Sequence, residues 1–218
     1  MLKCEKISAR IAGITVLRGI ETELSAGQLL AVVGRNGAGK TTLLRAIMGL
    51  LPLTSGRIVM DGLDLARVAP HRRSSFGIGY APEDRVMFPT FTVEENLRLP
   101  CAVLNLPAAE TQRRLARVLE AVPQLEDMLP RSGAALSGGQ GKMAALGRAL
   151  MAGTRLVLLD EPFQGLAPVL AQQYAESLRR LHTLAPELCI VVTESNRSLL
   201  RDLPDATLTL ERGELITG

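Results

Sequence analysis

Only three cysteines and two histidines occur among the 218 residues, and their placement excludes two kinds of chemistry. Cys4, Cys101 and Cys189 lie far apart, are odd in number and are flanked mostly by apolar residues. They offer no disulfide framework and are expected to be free, buried thiols, as in a reducing compartment. His71 and His182 have no cysteine or histidine partner at metal-ligand spacing, which argues against a zinc-type site. No apolar run approaches the length of a bilayer span, and the opening MLKCEKISAR lacks the apolar segment of a secretory signal. A soluble, cytosolic chain is expected, one that meets a membrane only through a partner. Basic blocks are missing too. The net charge is +3 and the pI about 9.0, but charges of both signs alternate along the chain, so no nucleic-acid partner is expected. Internal repeats, low-complexity segments and clear linkers are also absent.

What is present is a chain with 47% apolar residues, enough for a substantial core, and one domain over residues 1–218 is the expectation. LLAVV (29–33), LVLLD (156–160) and CIVVT (189–193) are short continuous apolar runs of the kind that form strands covered on both faces. Helical patterns follow each, predicting an α/β fold with a parallel, doubly wound sheet. Residues 2–24, including ITVLRGIETEL, predict a small antiparallel layer at the front. From about 92 to 152 the pattern is helical throughout, a helical subdomain inserted between strands of the sheet. Its first helix opens on a Thr92-x-x-Glu95 capping box. LTLERGEL (208–215) predicts a hairpin turning at Arg212-Gly213.

Two glycine-rich stretches stand about a hundred residues apart. GRNGAGKTT (34–42) follows the strand LLAVV and opens a helix, and Gly34-Arg35-Asn36-Gly37-Ala38-Gly39-Lys40-Thr41 fits G-x-x-x-x-G-K-[ST], with Thr42 next in line. This is the phosphate loop of a P-loop NTPase. Glycines let backbone N–H groups approach phosphates, and the helix N-terminus adds a favourable dipole. Lys40 is expected to reach the β- and γ-phosphates of a nucleotide and Thr41 to hold Mg2+. A triphosphate site also needs a second metal-side carboxylate and a group to orient water. RLVLLDEP supplies both in Asp160, a metal ligand at the end of a buried strand, and Glu161, the candidate general base.

The other glycine-rich stretch is LSGGQ (136–140). With it, the chain as a whole resembles the nucleotide-binding subunits of ATP-binding cassette (ABC) transporters, whose signature pentapeptide it matches in all five residues. The resemblance implies that two such subunits pack head to tail, each ATP lying between the phosphate loop of one and the signature loop of the other. The two loops then belong to two different sites. Ser137, Gly138, Gly139 and Gln140 would face an ATP held by a partner, with the helix N-terminus behind them. YAPEDRVMFPTFTVEENL (80–97) and DEPFQGLAP (160–168) are similar to the smaller ATPase of branched-chain amino acid importers, a group similar also to urea importer subunits. Those systems imply a second, unlike ATPase subunit, two permeases and a periplasmic substrate-binding protein, with the ATPases at the cytoplasmic face of the inner membrane.

Four positions depart from the common pattern of that family. Ile11 stands where an aromatic ring usually stacks on adenine, a loss worth about 1–3 kcal/mol per base, unless Ile11 or Val16 substitutes in part. Glu83 stands for the usual glutamine after the GY-x-P turn and can still meet Mg2+ or its water. Ala167 replaces an aspartate in the loop that crosses the dimer interface. Ser195, in VVTESN, replaces the histidine that contacts the γ-phosphate. Ile11 and Ser195 together predict an own site that binds ATP and turns it over slowly. By the same resemblance, Val86, Met87, Phe88 and Phe91 are expected to receive a cytoplasmic helix of the permease. Other readings are a urea or amide importer ATPase, a soluble ABC ATPase of DNA repair or translation, and a non-catalytic cassette. The absence of a second cassette or a coiled-coil insertion counts against the second, and intact Lys40, Asp160 and Glu161 against the third.

Overall fold

The apolar runs LLAVV, LVLLD and CIVVT form three adjacent parallel strands at the centre of a six-stranded sheet in a computed structural model that describes residues 1–84 and 87–216. In chain order the elements are β1 (Leu2–Ile11), β2 (Ile14–Leu24), β3 (Leu29–Val33), α1 (Lys40–Ile47), β4 (Leu53–Met60), β5 (Leu63–Asp64), β6 (Ile78–Ala81), α2 (Val93–Val103), α3 (Ala108–Ala121), α4 (Gly138–Ala152), β7 (Leu156–Asp160), α5 (Pro168–Leu184), β8 (Cys189–Glu194), β9 (Ala206–Glu211) and β10 (Glu214–Ile216), with short 3-10 turns between some of them. The large sheet runs β10-β9-β3-β8-β7-β6, parallel except for β10, and an antiparallel sheet runs β2-β1-β4-β5.

Strand periodicity explains how one sheet serves two cores. Alternate residues of a strand point to opposite faces. Leu29, Ala31 and Val33 of β3, with Val157, Leu159, Ile190 and Val192, pack against α2, α3, α4 and α5. Leu30 and Val32, with Leu156, Leu158 and Val191, pack against α1 and the antiparallel sheet. Burial on both faces is why these runs are continuously apolar. Each fully buried aliphatic side chain contributes about 1.5–3 kcal/mol. Cys4, Cys101 and Cys189 are free and buried, the first pushed up to about 12 by burial.

Three features go beyond the sequence reading. The antiparallel layer includes residues well past 24, because β4 pairs with β1 and β5 with β4. Ile78–Ala81 is a fourth parallel strand beside β7, and β9, the first arm of the C-terminal hairpin, is a fifth, beside β3. The hairpin turns at Arg212 (φ 49°) and Gly213 (φ 84°). A Cβ at Gly213 would stand 2.3 Å from the Val16 carbonyl oxygen, so only glycine fits. Its backbone N–H donates to Ala38 (2.9 Å) and its carbonyl accepts from Arg18 (2.8 Å), tying β2, the hairpin and the loop after β3 together.

Helix α2 starts as its sequence predicts. Thr92 Oγ1 accepts from the Glu95 backbone N–H (3.1 Å) and Glu95 Oε2 accepts from the Thr92 backbone N–H (2.7 Å), closing the capping box.

Candidate functional site

Strand register assembles the site. Asp160 on β7 pairs with Thr193 on β8, and Val33 on β3 pairs with Glu194, so β3, β7 and β8 end side by side. The segments beginning at Gly34, Glu161 and Ser195 therefore leave the sheet together at the carboxyl ends of its strands, where open α/β sheets bind ligands.

The loop from Gly34 to Thr42 curls back over that edge. Gly34 is closely packed, since a Cβ there would stand 2.2 Å from the Leu210 carbonyl oxygen. Gly37 and Gly39 have φ of 80° and 112°, which side-chain-bearing residues rarely adopt. Gly39 caps α1 without a side-chain hydrogen bond, and the first turn of α1 carries no acidic residue. The N-terminal amides of α1 are thus left to whatever sits in the loop. Lys40 is buried at 4% exposure. Its Nζ donates to the carbonyls of Gly34 (2.7 Å) and Arg35 (3.1 Å) and to Ser195 Oγ (3.1 Å), and it pairs with Glu161 Oε1 at 3.0 Å.

Asp160 receives three hydroxyls: Thr41 (3.1 Å) and Thr193 (2.8 Å) at Oδ1, and Tyr80 (3.4 Å) at Oδ2. Burial raises its pKa while the hydroxyls of Thr193 and Thr41 oppose the shift. Burial first, and then the charge of Asp160, raises the phenol of Tyr80. Asp160 and Thr41 thereby present two converging oxygens, a donor set that fits one Mg2+ sharing its remaining positions with phosphate oxygens and water. Glu83 is exposed and lines the same cleft of about 310 Å³ with Asn36, Lys40, Thr41, Thr42, Glu161, Gln164 and Val16. Among the described residues it makes no hydrogen bond to Thr41 or Asp160.

Ser195 Oγ, besides accepting from Lys40, lies 2.7 Å from Glu161 Oε1 and 2.6 Å from Asn36 Oδ1, either of which can take its one proton. Although serine is short, it reaches the loop lysine, Glu161 and Asn36 at once. Val16 lines the cleft, whereas Ile11 is not among its lining residues and stands 45% exposed at the end of β1.

The signature residues lie elsewhere. Ser137 caps α4 with its own capping box, Oγ accepting from the Gln140 N–H (3.4 Å) while Gln140 Oε1 accepts from the Ser137 N–H (3.0 Å). Ser137 and Gly138 are exposed, and Gly139 sits where a Cβ would stand 2.4 Å from Leu170 Cδ1. No signature residue lines the clefts around the phosphate loop among the described residues. Phe88 and Phe91 are exposed, their rings tilted at 33° with centroids 5.6 Å apart, while Met87 packs partly on the helical core; Val86 lies outside the described residues. Buried Asn96 fixes their loop, accepting from the Phe88 N–H (2.8 Å) and donating to the carbonyls of Phe88 (3.0 Å) and Thr92 (2.9 Å).

Two buried charges were not foreseen. Lys142 on α4 donates to the Glu161 carbonyl, and Glu194 accepts the Phe163 N–H (2.7 Å). Burial pushes the Glu194 carboxyl up to about 7, against the pull of that N–H. The sequence held a faint signal for each: a lysine inside the otherwise apolar QGKMAALG, and a carboxylate closing an apolar strand.

A phosphate loop at the edge of a parallel sheet, a lysine paired with a glutamate, and an aspartate beside the loop threonine define a P-loop nucleotide hydrolase. The ABC transporter family model matches residues 17–164, and the chain belongs to that family, as an ATP-binding cassette of the kind that hydrolyses ATP to drive transport. A high-affinity branched-chain amino acid transport ATP-binding protein of Pseudomonas aeruginosa is 33% identical over 99% of this chain and 91% of its own. A probable branched-chain amino acid transport ATP-binding protein of Archaeoglobus fulgidus is 31% identical over 99% and 90%. A putative 2-aminoethylphosphonate import ATP-binding protein of Salmonella choleraesuis is 32% identical over 96% of this chain and 56% of its own. Among solved structures, an ATP-binding subunit of an ABC transporter superposes with a TM-score of 0.85 at 28% identity, covering 100% of this chain and 88% of that one.

Proposed function

We propose that this chain is the ATP-hydrolysing subunit of an importer for branched-chain amino acids or a related small polar solute. It works at the cytoplasmic face of the inner membrane beside a second, unlike ATPase, beneath two permeases supplied by a periplasmic binding protein. The observation that carries the reading is the convergence of Lys40, Thr41, Asp160 and Glu161 at one sheet edge, joined to full-length likeness to two branched-chain amino acid ATPases. The phosphonate-import relative supports a wider range of solutes for the same machinery.

The loop amides of residues 34–42 cradle the phosphates of ATP, and Lys40 exchanges Glu161 and the loop carbonyls for the β- and γ-phosphates. That exchange frees the Glu161 carboxylate to orient and deprotonate the attacking water. Thr41 and Asp160, with Glu83 directly or through water, would hold Mg2+, which when bound would supply positive charge to offset that of the phosphates. Ser195 keeps Glu161 and Asn36 in register, but without the reach and charge of an imidazole it makes this site the slower of two. Ser137, Gly138, Gly139 and Gln140 complete the site of the partner ATPase. No described helix is long and apolar enough to cross a membrane, and coupling to transport is assigned to the Phe88–Phe91 patch.

Co-purification from membranes tests the assembly. A triple polar substitution of Met87, Phe88 and Phe91 is expected to leave the chain folded and ATP-binding but to detach it from the membrane fraction. Loss of folding in its place would mean that these side chains only pack the subdomain.

A further inference from the structure

Glu161 is held in a conformation its own backbone disfavours. Its φ is 45°, a left-handed value that side-chain-bearing residues rarely adopt and that persists only where the surroundings over-determine it. Polar restraints on it come from two elements, β8 and α4. Thr193 Oγ1 on β8 accepts the Glu161 N–H at 3.1 Å, Glu194 Oε1 at the end of β8 accepts the Phe163 N–H at 2.7 Å, and Lys142 Nζ on α4 donates to the Glu161 carbonyl. The Gln164 N–H reaches that carbonyl too, at 3.3 Å.

Lys142 is the unusual member. It is 9% exposed, in the second turn of α4 after Ser137, where most of the helix is buried. A buried ammonium needs good acceptors to offset its desolvation, and apolar packing alone would favour Leu or Met there. Its placement joins two functional segments, since α4 begins with the signature residues and Glu161 sits in the phosphate cleft. Glu161 is thus gripped at both ends. The loop lysine Lys40 takes its carboxylate at 3.0 Å, and the signature-helix lysine takes its carbonyl. A phosphate that draws Lys40 away changes the load on the same residue that Lys142 holds.

We propose that Lys142 is a positioning residue, whose bond to the Glu161 carbonyl sets the turn carrying Glu161 and links that turn to the signature loop at the start of the same helix. The catalytic half of this inference rests on the reading of Glu161 as the base, whereas the link between the two segments does not. Neither Lys142 nor Glu194 needs to touch ATP.

The test uses the purified chain at concentrations where two copies pair, so that each supplies the signature loop to the other's ATP site, with Lys142→Met, Lys142→Arg, Glu161→Gln and the Lys142→Met/Glu161→Gln pair. Turnover is followed by phosphate release, and coupling by ATP-induced change in amide hydrogen exchange at residues 138–143. Lys142→Met is expected to lower kcat at least tenfold with KM within threefold, and to abolish the exchange response at 138–143. Lys142→Arg is expected to recover most of both, and the pair to be no slower than Glu161→Gln alone. The proposal is overturned if Lys142→Met keeps kcat within twofold together with a wild-type exchange response, if KM rises tenfold at unchanged kcat, or if the losses in the pair multiply. If Glu161→Gln alone hydrolyses ATP at the wild-type rate, the base assignment fails, and the exchange response alone decides the link. Should Lys142→Met not fold, Lys142→Gln takes its place under the same criteria.

Discussion

The two glycine-rich helix starts are built to opposite plans. At α1 the capping position is Gly39, no side chain satisfies the first-turn amides, and Lys40 is buried behind the loop. At α4 the helix caps itself through Ser137 and Gln140, and Ser137 and Gly138 face solvent. An uncapped helix N-terminus beside a buried cation needs a polyanion to complete it. A self-capped start satisfies the amides of Ser137 and Gln140 from within. The first leaves its amides free for a ligand in this chain's own cleft, and the second satisfies its own. The same residue type serves both because each loop brings backbone close to something, and the caps decide which.

The sharpest way to break this comparison is Lys40→Ala. Lys40 makes four polar contacts, to Gly34, Arg35, Ser195 and Glu161, and is the cation nearest to where the phosphates go. Its loss is expected to weaken ATP binding at least a thousandfold, about 4 kcal/mol. Affinity within threefold of wild type, measured by titration with a fluorescent ATP analogue, would remove the phosphate loop from the account. Signature variants should leave the same affinity intact.

A smaller effect sharpens the view that buried charge behind the site is retained for function rather than for stability. Burial pushes Glu194 up to about 7 from an ordinary value near 4.5. Between those values the folded chain binds the proton that the unfolded chain has lost, so stability falls as pH rises through this window. The difference corresponds to at most about 3 kcal/mol. Glu194→Gln is therefore expected to gain on wild type by up to that amount between pH 5 and pH 8, in urea unfolding at both. An equal gap at the two pH values would mean that Glu194 does not titrate in this range.

Most of the architecture was legible because it rests on local signals. Continuous apolar runs gave the three central strands, the Thr92–Glu95 spacing gave a helix start, and Arg212-Gly213 gave a hairpin. β4 was not, since Leu53–Met60 is exposed over much of its length and has no clean alternation, and Ile78–Ala81 was hidden inside a motif read as a turn. At the site, the phosphate loop, Asp160 and Glu161 could be named because each lies in a short motif. The bonds of Ser195 to Asn36 and Glu161 span 159 and 34 residues, and the bond of Lys142 spans 19. No local pattern encodes such pairs; they exist only once β3, β7 and β8 end together.

Steady-state phosphate release by the complex assembled with the proposed second ATPase and permeases tests most directly the claim that the two loops serve two different ATP sites. Ser137→Arg or Gly138→Asp should nearly eliminate turnover, in line with the roughly 10²- to 10³-fold loss on removing one preorganised charge-stabilising donor. Glu161→Gln should leave a third or more if, as proposed, it disables only the slower of two sites. Equal damage from Glu161→Gln and the signature variants would contradict the account, making both sites catalytic or the assembly a pair of identical chains.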